Sequence, residues 1–124
     1  KDQIQPQLDS YFGHCFERMC REALPDIYMN EGVRAGFEIG EYWDKTTQID
    51  VVGVRQDERV DLGECKWGTI RSLGPVAAEL KEKVEGYSNE KNWTINRRLF
   101  VRNKPRGEVP EGFTCHTLDE LYKT

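Results

Sequence analysis

The segment Gln48–Trp67 constrains the fold most, because it consists of two strand-like runs joined by a polar turn. Ile49–Val54 is rich in β-branched residues, Val60–Trp67 alternates less cleanly between apolar and polar residues, and the five residues between them are all polar. This pattern predicts an antiparallel β-hairpin. Side chains alternate between the faces of a strand, so three pairs oppose each other on one face: Val54 with Val60, Val52 with Leu62, and Asp50 with Glu64.

The last of these pairs is unusual because it brings two carboxylates together. Opposed residues have Cβ atoms about 4.5–5.5 Å apart, so Asp50 and Glu64 repel each other unless a cation lies between them. Lys66 follows on the same face, about 6.6–6.8 Å along the strand. Two acids and a lysine suit phosphodiester hydrolysis, in which the acids hold Mg²⁺ or Mn²⁺ and the metal polarises the phosphate and activates water. The lysine neutralises charge or positions that water.

The alternative is an ordinary surface hairpin whose charges face solvent. Two features favour a site. The acids are embedded among Val, Leu and Trp residues, where a charge needs a reason. Gly63 and Gly68 also bracket Glu64–Lys66, and glycines in strands often mark a bulge or the close approach of a ligand.

Three segments extend this motif: Ile39-Gly40-Glu41-Tyr42-Trp43-Asp44, Ile49-Asp50-Val51-Val52, and Gly63-Glu64-Cys65-Lys66-Trp67. With them the chain resembles the PD-(D/E)xK nuclease superfamily. More narrowly, it resembles the C-terminal domain of unknown function carried by archaeal-type AAA ATPases. The resemblance covers roughly residues 11–122. It departs from the superfamily pattern at Ile49, where the name-giving proline is absent.

The resemblance implies an α/β fold with a restriction-endonuclease-like core, a mixed central β-sheet flanked by α-helices. Residues 11–124 would form the nuclease-like domain, and residues 1–10 the end of a linker from an N-terminal ATPase domain in the same chain. It implies that Asp50, Glu64, Lys66 and Glu17 are catalytic. The implied metal ligands are Asp50, Glu64, Glu17 and the backbone carbonyl of Cys65. From the residues alone, Glu17 is more simply explained as a solvated charge on the first helix.

Charge bears on the expected partner, which is DNA. A net charge of −4 argues against tight nonspecific binding to a polyanion. Residues 97–106, however, contain five basic residues and no acid. An uneven field of this kind can still steer a nucleic acid. The expected contacts to the phosphate backbone are Arg97, Arg98, Arg102 and Lys104.

Several classes of protein are excluded or disfavoured. No apolar run approaches the roughly 20 residues of a membrane helix, and no signal peptide is visible. No Gly-x-Ser-x-Gly and no P-loop is present. The four cysteines match no zinc spacing, so we expect reduced thiols in a cytoplasmic protein. His14 and His116 lack a partner at ligand spacing. Because the chain begins at Lys1, we expect it to be a fragment of a longer protein.

Outside the hairpin, the sequence predicts an amphipathic helix over Asp9–Leu24 that Pro25 ends. A strand follows over Phe37–Trp43. A second helix begins near Pro75 with Ser72 as a cap. The remaining elements are a strand at Leu99–Val101, a short strand at Phe113–His116, and a final turn at Leu118–Tyr122 capped by Thr117. The strands on either side of the second helix should be parallel.

Two functions are compatible with these features. The first is a metal-dependent nuclease that hydrolyses DNA. The second is a nuclease-like fold that no longer cuts and serves as a nucleic-acid-binding or dimerisation module, with a homodimer as one form. Retention of Asp50, Glu64 and Lys66 favours the first, and the acidic net charge favours the second.

Overall fold

The computed structural model describes the backbone of residues 4–123 and the side chains of residues 7–122. Within this range, the five strands form one sheet in the order β1-β2-β3-β4-β5. β1, β2 and β3 pair antiparallel, whereas β3, β4 and β5 pair parallel, so the predicted mixed sheet is confirmed. The elements are α1 (Ile4–Asn30), β1 (Phe37–Trp43), β2 (Gln48–Arg55), β3 (Arg59–Lys66), α2 (Gly74–Gly86), β4 (Thr94–Val101), β5 (Phe113–Thr117) and α3 (Leu118–Lys123).

Helix α1 is longer than the sequence predicted at both ends. It continues through Pro25, so the prediction that this proline ends the helix is wrong. A proline inside a helix costs about 3 kcal/mol. Ile27 and Tyr28 lie beyond it and are almost completely buried. Burying two large side chains contributes about 1.5–3 kcal/mol each, which offsets the proline. The helix begins at Ile4, inside the stretch expected to be a linker, and residues 1–3 lie outside the described residues.

The central hairpin has the predicted register over most of its length. Val54 pairs with Val60 and Val52 with Leu62. The ladder ends at Val51 and Gly63, one step before the predicted pairing of Asp50 with Glu64.

A bulge in β2 explains this difference. On the β1 side, Gly40 pairs with Val52 and Tyr42 with Ile49, so two residues of β2 lie opposite Glu41 alone. A bulge of this kind redirects a side chain and ends regular pairing. The two redirected residues are Asp50 and Val51.

The sheet separates two apolar cores. One core lies under α1 and α3 and includes the strand residues Val51, Cys65 and Phe100. The other lies under α2. Its strand residues alternate with those of the first core, as the side-chain period of two requires: Ile49, Val52, Val60, Leu62, Leu99 and Val101.

The remaining elements agree with the sequence apart from their ends. Pro75 lies in the first turn of α2 as predicted. The cap position is Leu73 rather than Ser72, and no side chain caps the helix there. Leu73 is buried, so apolar packing replaces a capping hydrogen bond. Thr117 does cap α3, because its hydroxyl accepts a hydrogen bond from the backbone N–H of Glu120 at 3.3 Å.

Gly63 has a packing role rather than a ligand-binding one. A Cβ atom at this position would lie 2.7 Å from the Phe100 ring and 3.1 Å from Cβ of Val51. The glycine therefore lets the aromatic ring of β4 pack directly on β3. Separately, none of the helices in the described range is long and apolar enough to span a membrane.

Candidate active site

Asp50 and Glu64 lie together at the end of the hairpin ladder, where β2 bulges. Both are buried, with 8% and 3% of their surface exposed. The Asp50 carboxylate accepts a hydrogen bond from the backbone N–H of Cys65 at 3.0 Å, so it reaches across to β3. Arg21 on α1 donates to the backbone oxygen of Asp50 at 2.8 Å. The bulged residue is therefore held from both sides.

Glu64 already has a cation beside it. The Lys83 ammonium on α2 lies 2.8 Å from Oε1 of Glu64. Burial, and next the charge of Asp50, nevertheless raise the pKa of Glu64 to about 7. Burial also raises the pKa of Asp50. The two carboxylates are thus close together in one desolvated place, and the Lys83 ammonium offsets their charge at Glu64.

Lys66 is on the α2 side of the sheet, as is Glu64. Its ammonium lies 3.1 Å from Oε2 of Glu79, and about 40% of each side chain is exposed. An ion pair this open to water contributes little to stability. The Lys66 charge lowers the pKa of Asp50, so this ammonium acts on the carboxylate pair. The structure thus places Lys66 within electrostatic reach of Asp50, on the side of the sheet that Glu64 faces.

Glu17 approaches the same place from the α1 side. Burial, and next the charge of Asp50, raise the pKa of Glu17. The Nδ1 atom of His14 lies 3.7 Å from its carboxylate. Glu17 thus lies within electrostatic reach of Asp50. Among the described residues, however, no group of three or more His, Cys, Asp or Glu side chains is placed to hold a metal ion.

The side chain of Cys65 belongs to the core, whereas its backbone borders the carboxylate site. The side chain is buried in the core under α1, and burial next to Cys20 raises the pKa of its thiol. A neutral, buried thiol is neither a nucleophile nor a good metal ligand. The backbone carbonyl remains as the atom that the sequence predicted for metal binding. All four cysteines are free thiols, as predicted.

The basic residues predicted to bind nucleic acid do not lie together. Arg102 follows the end of β4, and its backbone N–H donates to the Lys66 carbonyl at 3.3 Å. Lys104 is exposed in the loop beyond it. Arg97 lies on β4, five residues before Arg102, where it pairs with Leu62 of β3. Five residues of a strand separate the two arginines by about 16 Å.

Arg98 corrects the expectation that this residue contacts phosphate. It is 4% exposed, and its guanidinium binds Glu31 at 2.7 Å and Asp61 at 2.8 Å. A buried arginine with two carboxylate partners is a structural residue. Sequence reasoning took it for surface charge because the run of basic residues does not show which strand face each one occupies.

Lys83 and Glu79 are the site residues that sequence reasoning missed. In the sequence, these two residues of opposite charge are four positions apart and were interpreted as a pair that stabilises α2 itself. The sequence did contain a signal for their position. Glu79 and Lys83 lie three residues after the apolar residues Val76 and Leu80, so they border the apolar stripe of α2. Charged residues beside the buried stripe face the sheet, where Glu64 and Lys66 lie.

The raised pKa of Glu64 predicts a pH dependence of stability. The unfolded glutamate titrates near 4.5 and the folded one near 7, so the folded state binds more protons between these values. Stability should therefore fall as pH rises through this window. We expect the wild type to lose about 1–3 kcal/mol more than Glu64→Gln between pH 5 and pH 8 in urea denaturation. Parallel pH profiles for the two proteins would show that Glu64 is not confined beside Asp50.

Comparison with known proteins assigns the chain to a family. The model of the DUF234 family, described as "Archaea bacterial proteins of unknown function", matches residues 1–83. No curated protein matches the chain. A solved structure described as a repair endonuclease from Pyrococcus abyssi is similar, with a TM-score of 0.50 and 20% identity over 77% of this chain.

The chain spans 44% of that endonuclease, and the likeness concerns the fold. It agrees with the five-stranded mixed sheet and flanking helices of the described residues, the restriction-endonuclease-like α/β core that the sequence predicted. Since the family model covers two thirds of the sequence, the chain belongs to the DUF234 family of archaeal and bacterial proteins.

Proposed function

We propose that this domain is a metal-dependent nuclease that hydrolyses phosphodiester bonds of DNA, and that it belongs to the PD-(D/E)xK superfamily. The observation that carries the proposal is the buried Asp50–Glu64 carboxylate pair, with Lys66 beside it. Titratable groups with strongly shifted pKa values that meet in one place are typical of functional sites. The similar structure described as a repair endonuclease supports the same reaction class.

The donor atoms of this site fit a hard divalent cation. Mg²⁺ and Mn²⁺ prefer carboxylate and carbonyl oxygens, which Asp50, Glu64 and the Cys65 backbone supply, with Glu17 as a further carboxylate. Such a metal would polarise the scissile phosphate and activate a water. A metal that binds Oε1 of Glu64 would compete with the Lys83 ammonium, which lies beside this oxygen.

The protein groups have separate roles in this proposal. Lys66 neutralises charge that develops on the phosphate or positions the attacking water, since its ammonium lies on the same side of the sheet as Glu64. The Cys65 N–H fixes the Asp50 carboxylate so that it does not reorganise during the reaction. Arg102 and Lys104 bind the DNA backbone next to the site.

Competition between Lys83 and the metal gives a test of metal binding that needs no substrate. We expect Mg²⁺ or Mn²⁺ to raise the melting temperature of the wild type, because the ion binds the folded state. The rise should be larger in Lys83→Met, where the carboxylate pair has lost its ammonium. It should be absent in Asp50→Asn. The measurement is a melting curve with and without excess metal for each protein.

Lys81→Met is the matched control for this test, since Lys81 lies on the same helix but is exposed. Its metal-induced rise should equal that of the wild type. An equal rise in Asp50→Asn would mean that the metal binds elsewhere and would contradict the proposed site.

One observation favours a second candidate, a non-catalytic nucleic-acid-binding or dimerisation module. Helix α2 satisfies Glu64 with Lys83 and Lys66 with Glu79, so the charges are partnered without a metal. In that case Mg²⁺ and Mn²⁺ would leave every melting temperature unchanged. We further propose an ATPase domain N-terminal to this one in the same chain, which the sequence resemblance implies.

A further inference from the structure

The apolar stripe of α1 continues past the sheet that buries it. Phe16, Cys20 and Leu24 of this helix are buried against the sheet. One turn earlier on the same side lies Phe12, which is 44% exposed, and next to it on the flank of the helix lies Tyr11, which is 61% exposed. Single exposed apolar residues are ordinary, but adjacent large ones mark a binding surface.

Trp67, which follows β3, packs against Phe12 and Phe16 of this helix. Its ring centroid lies 6.0 Å from that of Phe12 and 5.6 Å from that of Phe16. The Arg102 guanidinium lies 4.7 Å from the Trp67 centroid. Tyr11 packs edge-on against Phe12 at 5.6 Å. We call Tyr11, Phe12, Trp67 and Arg102 together the aromatic surface.

The aromatic surface adjoins the site covalently and through hydrogen bonding. Trp67 is the residue directly after Lys66, and the Arg102 backbone N–H binds the Lys66 carbonyl. The rings lie on the α1 side of the sheet, whereas the Lys66 and Glu64 side chains face α2. Helix α1 links the rings to the carboxylates, because Glu17 lies five residues, about 7.5 Å, beyond Phe12 and within electrostatic reach of Asp50. A strand whose phosphate lies at Asp50 and Glu64 would pass a neighbouring base close to these rings.

We propose that the aromatic surface binds an unpaired nucleobase of a nucleic-acid strand whose adjacent phosphate lies at the Asp50–Glu64 site; this rests on the function proposed above. Aromatic rings combined with an arginine form the stacking platforms that bind single strands, because every base has a π-face. A base inside a duplex has both faces covered by its neighbours. The preferred substrate is therefore a single-stranded or frayed segment rather than an intact duplex.

Charge favours this occupant over a second copy of the chain. Arg102 borders the rings and attracts a polyanion, whereas the chain as a whole carries a net charge of −4 and repels itself. The competing occupant, an identical aromatic surface on a second copy, would also bring like charges together.

The test is binding in the presence of EDTA, measured by fluorescence anisotropy. We expect the wild type to bind a labelled single-stranded oligothymidylate more tightly than a duplex of equal length. Tyr11→Leu/Phe12→Leu should bind the single strand about tenfold more weakly, with little change for the duplex. Leucine keeps the apolar character, and a melting curve confirms that the variant folds. Phe37→Leu, an exposed aromatic at the opposite end of the sheet, should bind as the wild type does.

Equal affinity for the two oligonucleotides, or unchanged single-strand affinity in the double variant, would overturn the inference. So would conversion of a dimer to a monomer by the double variant in sedimentation, which would identify the surface as an interface between copies. If the wild type still cleaves duplex DNA with Mg²⁺ in either case, the inference fails and the proposed function stands. Absence of both binding and metal-dependent cleavage would reject both.

Discussion

Lys66→Met should slow metal-dependent DNA cleavage by a hundredfold or more, while leaving the fold intact. A preorganised charge that acts on the transition state contributes a few kcal/mol, on the order of a hundredfold to a thousandfold in rate. The ammonium of Lys66 is so placed, because it acts on Asp50 and shares the α2 side of the sheet with Glu64. Its ion pair with Glu79 is open to solvent, so its loss should cost less than about 1 kcal/mol of stability.

Two lysines on α2, Lys81 and Lys83, provide controls for the substitution of Lys66 on β3. Lys83→Met removes an ammonium from the same carboxylate pair, but one that opposes the metal, so cleavage at low metal concentration should not fall. Lys81→Met should leave cleavage unchanged. Rates are compared on one DNA substrate with Mg²⁺ and with Mn²⁺. If Lys66→Met cleaves as fast as the wild type, then this lysine has no role in catalysis.

Asp61→Ala should destabilise the fold more than any substitution at the carboxylate site. Asp61 is fully buried on β3, and its carboxylate accepts hydrogen bonds from the Tyr28 hydroxyl, Arg98 Nε at 2.8 Å and Asn96 at 3.1 Å. Arg55 adds a further contact at 3.4 Å. Removing one partner of a buried ion pair typically costs about 3–5 kcal/mol, comparable to the whole stability of a weak domain.

This network also ties α1 to the sheet. Tyr28 and Glu31 belong to the end of α1 and its following turn, whereas Asp61 and Arg98 lie on neighbouring strands. A Cβ atom on Gly53 would collide with the Tyr28 hydroxyl, so this glycine makes room for the hydroxyl over the sheet. Because α1 also carries Glu17 and Arg21, loss of Asp61 should loosen the helix that flanks the carboxylate site.

Asp57→Ala is the control for the network. Asp57 binds the same arginine, Arg55, at 2.6 Å, but its side chain is 38% exposed. We expect a loss of about 1 kcal/mol or less, as for other exposed ion pairs. Urea denaturation of both variants measures the difference. If Asp61→Ala costs no more than Asp57→Ala, the buried network does not support the fold.

The parts of the fold that local patterns determine were predictable. The alternation in β2 and β3 predicted both strands and their register from Val54–Val60 to Val52–Leu62, and Phe37–Trp43 is the observed β1. Pro25 shows where local preference fails, since burial of Ile27 and Tyr28 outweighs it. The start of β4 at Thr94 was missed because three of its first four residues are polar, and one of them, Asn96, joins the buried network by donating to Asp61.

The candidate site was predictable only where it lies on the hairpin. Asp50, Glu64 and Lys66 follow from strand alternation. The bulge at Asp50 depends on pairing with β1, which a single strand's sequence does not show. Lys83 comes from a helix on the other side of a loop, and Arg98 is distinguished from surface arginines only by the burial of its strand face. Each miss concerns contacts between elements rather than within them.

Cleavage by the purified chain tests most directly whether Asp50 and Glu64 form a metal-dependent nuclease site. The measurement compares wild type and Asp50→Asn on labelled single-stranded and duplex DNA, with Mg²⁺, with Mn²⁺ and with EDTA. We expect cleavage by the wild type with either metal, none with EDTA, and a loss of a hundredfold or more in Asp50→Asn. Cleavage that is equal in the two proteins, or that persists in EDTA, would contradict the proposed site.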